Sequence, residues 1–196
     1  MADFNAIDAV TQAIERYLDG ALPTAIFPNA KIARYRLPHD PDRAIGEGLS
    51  LHLYRVATDD RRNLPPRRLP DGSTRRPPLA LDLHYLLTAW ASTPEVQQRL
   101  LGWAMRALAD LAELPATLLN HGAAAPSFEP GETVEWVATP ITVEEMASVW
   151  EPCKDQTSLS ATYRARMVLI DSTQTMETAP RVQTRQMSAD PSLEGA

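Results

Sequence analysis

Three side chains of this 196-residue sequence invite a chemical reading. His52 lies in GLSLHLYRVA, and Asp82 and His84 lie in PLALDLHYLLTAW. Two imidazoles and a carboxylate form a donor set for a divalent cation, and a metal held there would activate water for hydrolysis. Each residue sits in a run that alternates apolar and polar positions, which is strand periodicity. If the two strands pair antiparallel, all three side chains share the sheet face opposite the leucines. Register decides the matter, because a slip of one residue reverses the face. No Gly-rich phosphate loop, nucleophile elbow or HExxH helix accompanies them. His and Asp on the polar side of a half-buried strand ordinarily hydrogen-bond to neighbours or water. A small metal-dependent hydrolase therefore stands as the alternative to a role without catalysis, metal or cofactor.

The second chemical group is arginine. Residues 59–78 read DDRRNLPPRRLPDGSTRRPP and carry three pairs: Arg61 and Arg62, Arg67 and Arg68, Arg75 and Arg76. They form a cationic island in a chain of net charge −6. Paired arginines could neutralise phosphates, so a nucleic-acid adaptor is a second alternative. No aromatic residue interleaves with them to stack bases, however, and the chain as a whole is acidic. Arginine is enriched at protein interfaces. The six are thus candidate protein-interface residues, on a long proline-stiffened loop of the sort that is usually functional or disordered.

The single cysteine, Cys153, allows neither an internal disulfide nor a cysteine-based zinc site. The opening MADFNAIDAV is acidic and lacks the basic start and apolar run of a signal peptide. No stretch approaches the roughly 20 apolar residues that span a bilayer. Assembly in the cytoplasm, without direct membrane insertion, is expected.

The elements that must position these groups can be read from periodicity. Phe4, Ile7, Val10, Ile14, Tyr17 and Leu18 predict a helix over 4–19, with Asp3 as cap and Gly20 and Pro23 at its end. A short strand is expected near 32–36. Strands follow over 48–57 and 79–87, joined by the arginine loop and sharing a leucine core. Thr93-Pro94-Glu95 starts a longer helix, with Val96, Leu100, Ala104, Leu108 and Leu111 as its stripe. A short strand over 133–138 and a capping box, Thr142-Val-Glu-Glu145, precede a short helix that ends near Pro152. Residues 159–171 form the longest alternating run, with Leu159, Ala161, Tyr163, Ala165, Met167 and Leu169 on one parity. From Ser172 the sequence loses aromatics and period, so 172–196 is expected to be a flexible tail beyond a single domain over 1–171. The fold class is α+β: a mixed or antiparallel sheet with an N-terminal helix, one longer helix and one short packing helix.

Read in order, LSLHLYRVATDDRRN, PPLALDLHYLLTAW, QRLLGWAMRAL, ITVEEMASVW and SLSATYRARMVLID resemble the family that caps extracellular contractile injection systems of the virulence-cassette type. The shared phrases fall on Leu53–Val56, Leu79–Ala89, Leu100–Gly102, Glu144–Trp150 and Leu159–Val168. The resemblance covers about residues 4–171, and its most specific phrase is 79–89. It implies a tail terminator with a fold like that of phage tail terminators. Such a protein forms a homo-hexameric ring that ends the inner tube and anchors the last sheath ring. The implied partners are the tube protein and the sheath protein, in a phage-tail-like particle released from the cell in some systems. A closed ring requires two different lateral surfaces on each subunit.

Overall fold

The structure is a computed structural model that describes residues 2–59, 64–122 and 126–176. Helix α1 spans Ala6–Ala21, two residues later at each end than its periodicity implies. Its buried side, Ala6, Ala9, Val10, Ala13, Ile14 and Leu18, recurs at three- and four-residue spacing. Phe4 falls outside the helix and is 81% exposed, so it leaves the expected stripe. Asp3 acts two residues before the Asn5 cap position: its carboxylate accepts the Asn5 N–H at 2.9 Å.

The main sheet contains β1 (Lys31–Tyr35), β2 (Gly48–Thr58), β5 (Leu79–Trp90), β6 (Glu113–Pro115), β7 (Thr133–Ala138) and β8 (Ser160–Ile170). Its strand order is β1-β2-β5-β8-β7-β6. Only β1 and β2 run parallel; the other neighbours are antiparallel. Helix α2 (Pro94–Leu111) joins α1 on one sheet face. The start of α2 follows from its sequence, since Thr93 caps the Val96 N–H and Pro94 occupies the first turn. Between the helices and the sheet lies the core, where Leu49, Leu51, Leu83, Tyr85 and Leu87 meet Val10, Ile14, Leu100, Ala104 and Leu108. Trp136 belongs to this core, stacked on Tyr163 at 5.1 Å and tilted against Tyr85 at 5.3 Å. Burial of this apolar surface is the main favourable contribution to the fold.

On the opposite face, among the described residues, a second cluster covers the end near Trp90. A four-residue helix, α3 (Ala116–Leu119), follows β6; helix α4 (Val143–Trp150) begins with both reciprocal bonds of the expected capping box, and a 3₁₀ segment, Glu151–Gln156, follows it. Trp150 is buried there beside Trp90, which also packs on Tyr35 and His39. Trp90 donates its indole N–H to the Ser50 hydroxyl at 2.8 Å, so the polar atoms of this smaller cluster are partly met. Cys153 contributes its thiol to the His39 carbonyl at 3.5 Å.

Two bulges flank the central strand β5. Leu53 pairs with Tyr85 and Arg55 with His84, so Tyr54 is the extra residue of β2. Leu81 pairs with Val168 and Leu83 with Ala165, so Arg166 and Met167 together face Asp82. Met167 takes a positive φ of 62°, rare for a non-glycine residue. The second bulge corrects the simple parity of 159–171. Beyond it Val168 is fully buried, while Met167 and Leu169 are half-buried.

The arginine segment is not wholly a loop. Arg67–Arg68 (β3) and Thr74–Arg75 (β4) form a hairpin, and Thr175–Met176 (β9) adds a third strand. The turn is written in Pro70-Asp71-Gly72. Gly72 N–H closes on the Leu69 carbonyl at 3.0 Å, and the Asp71 carboxylate accepts from the Ser73 backbone and hydroxyl. Residues 172–176, expected to start a flexible tail, therefore belong to this ribbon. Residues 177–196 lie outside the described residues.

Candidate functional site

The register places His52, Asp82 and His84 on the sheet face away from α1 and α2, as the alternation requires, but does not bring them together as ligands. His52 stands opposite Leu86, and its Nδ1–H donates to the Tyr35 carbonyl at 3.2 Å. Burial holds its pKa below the ordinary histidine range, so the ring is neutral at pH 7. Asp82 accepts from Arg164 at 3.4 Å. His84 packs against Tyr54 at 6.0 Å. Its pKa is also lowered, first by burial and then by the positive charges of Arg55 and Arg164. A metal cation would meet the same repulsion. Among the described residues, no three His, Cys, Asp or Glu side chains converge to hold one.

What the register does assemble is a row of basic residues. Arg55 of β2 faces His84 of β5, and His84 faces Arg164 of β8. The row ends at Val137 of β7. One step along the sheet lie Asp82, Arg166 and Glu135, with Arg166 and Glu135 paired at 3.1 Å. The alternation of β2 and β8 hides this row, because each bulge changes which residue stands opposite β5. Knowledge of the bulges, not of residue types, was the missing signal.

The six candidate arginines divide. Arg61 and Arg62 lie outside the described residues. Arg67 is held within the chain by Asp171 and Glu129, each at 2.7 Å. That bond draws the Glu129 carboxyl below its usual range. Arg75 approaches the same Asp171 carboxylate at 3.9 Å. Arg68 and Arg76 are exposed, and Arg76 contributes its backbone N–H to Gln174. All six are candidate interface residues, and two of them, Arg67 and Arg75, also fasten the ribbon to the end of β8.

The fold is that of the tube terminators of contractile injection systems. The chain superposes on the sheath/tube terminator of the PVC extracellular contractile injection system in its extended state, with a TM-score of 0.62 and 18% identity. The match covers 97% of this chain and 65% of that one. It also superposes on the tube-terminating cap of the anti-feeding prophage, AFP, with a TM-score of 0.58 and 14% identity over 96% of this chain and 62% of that one. The chain thus spans a little under two thirds of the length of the solved chains it matches.

By sequence the chain belongs to the Pvc16 N-terminal domain family, whose model matches residues 9–184. No curated protein matches it.

Proposed function

We propose that this chain is the terminating cap of a phage-tail-like contractile injection particle. It docks as a homo-hexameric ring on the distal end of the inner tube, stops tube growth and holds the last sheath ring. The family match over residues 9–184 carries the reading, and the likeness of fold to two tube-terminating proteins supports it. The role is structural: the chain acts by shape complementarity, with no substrate and no cofactor. It is assembled in the cytoplasm with the tube and sheath proteins and leaves the cell, where it does so, as part of the particle. No described helix is long and apolar enough to cross a membrane.

A cap must match the surface that a growing tube offers its next ring and offer nothing receptive on its far side. Exposed Arg68 and Arg76, with Arg61 and Arg62, are the members of the arginine segment assigned to neighbouring subunits or to the tube and sheath. The test is deletion of the gene in a cell that makes the particle, followed by electron microscopy. Tubes and sheaths of uncontrolled length, or none that survive, are the expected outcome. Particles of normal, uniform length without this chain would overturn the reading.

A further inference from the structure

We propose that the sheet face away from α1 and α2 carries a docking site for a carboxylate-bearing protein segment, centred on the row Arg55–His84–Arg164. Directly opposed positions on a sheet face place side chains a few ångströms apart, and like charges there are unfavourable. This row sets two guanidinium groups on either side of one imidazole, across three adjacent strands. The local carboxylates do not balance it. Glu135 is taken by Arg166 at 3.1 Å, and Asp82 reaches Arg164 only at 3.4 Å. The Arg164 Nε is buried without a hydrogen-bond partner. Arg55 is exposed and forms no ion pair with a described carboxylate. The groups around His84 are Tyr54, Arg55, Asp82 and Arg164. Glu145 lies beyond Tyr54, and its side chain is committed to the α4 cap at Thr142.

A concentration of donors on a chain of net charge −6 has one complementary ligand chemistry, an anion. The strand geometry favours an extended peptide bearing Asp or Glu. Its carboxylate would accept from Arg55 and from the His84 ring N–H and would offset the repulsion along the row. Arg164 would supply positive potential from the adjacent strand β8, with Tyr54 as an apolar wall. The site does not depend on the cap reading, because the experiment below uses the chain by itself.

The test is titration of the full chain with a decaglutamate peptide at low salt, followed by calorimetry and by the ring resonances of His84. Binding that shifts those resonances, and that weakens about tenfold in Arg55→Ser, is the expected result. A double variant, Arg68→Ser with Arg76→Ser, should bind as the parent does, which separates the row from general charge attraction. Retained thermal stability of Arg55→Ser shows that the loss is local. No binding, binding indifferent to Arg55, or Arg55-dependent binding of oligothymidylate but not of decaglutamate would each overturn the proposal.

Discussion

Arg67 and Asp171, separated by 104 positions in sequence, are joined by a 2.7 Å ion pair that seats the arginine ribbon on the end of β8. Arg75 approaches the same carboxylate, whose side chain is only 13% exposed. One aspartate thus holds two of the candidate interface arginines.

Asp171→Asn is therefore expected to loosen the ribbon rather than unfold the protein. The amides of residues 67–75 should exchange several-fold faster, while global stability falls by about 1 kcal/mol. Arg68→Ser, which removes an exposed side chain, should leave that exchange unchanged. Hydrogen exchange with mass spectrometry reads both.

Gly48→Ala tests the parallel edge of the sheet. Gly48 has φ +149°, and a Cβ there would lie 2.0 Å from the Lys31 carbonyl oxygen. Both are backbone constraints that no rotamer relieves, so a loss of about 2–4 kcal/mol is expected. In a chain of this size that corresponds to a fall in Tm of roughly 5–15 °C. Gly102→Ala, in the exposed middle of α2 with nothing within 4 Å of the added methyl, should instead raise stability by up to about 1 kcal/mol.

The pair of half-buried Thr11 and buried Tyr85 should respond asymmetrically. Their oxygens are 2.9 Å apart, and Thr11 already donates to the Ile7 carbonyl, so the Tyr85 phenol is the donor between them. Burial raises the Tyr85 pKa well above the ordinary tyrosine range. Tyr85→Phe removes one hydrogen bond and strands no donor, at about 1 kcal/mol. Thr11→Val leaves a buried phenol unsatisfied and should cost more, about 1–3 kcal/mol. Urea denaturation that ranks the two in the other order would show that the hydroxyl pair does not form.

Acidification should weaken the fold before the carboxylates titrate. His52 and His84 both have folded pKa values below the unfolded one, so the unfolded chain binds protons first as pH falls. Stability is full above about pH 6.5 and declines as pH falls from there through the depressed folded values. His84→Gln should flatten part of the Tm decline between pH 7 and pH 5. An undiminished slope in that variant would assign the effect to other groups.

Most of the architecture was legible. The apolar spacing of α1 and α2, the caps at Thr93 and Thr142 and the alternation of β2 and β5 depend on local geometry, which sequence records. Three features were not. The short β6, only Glu113–Pro115, is too brief to show a period. The ribbon forms because distant Thr175–Met176 pairs with Thr74–Arg75, a contact no local pattern reports. Its turn at Pro70-Asp71-Gly72 was readable, yet two-residue strands on either side gave it no flanking alternation. The metal alternative failed on surroundings: His84 shares a face with His52 and Asp82, but its nearest charged partners include two arginines.

Tyr54 and Met167 mark the places where the flanks of β5 each carry one surplus residue. Excision of Tyr54 would preserve every other partnership in that ladder, since Arg55 already stands opposite His84 and the strand would simply lose its local bend. The curl of the sheet is thus adjustable by single-codon deletion without re-pairing the remainder.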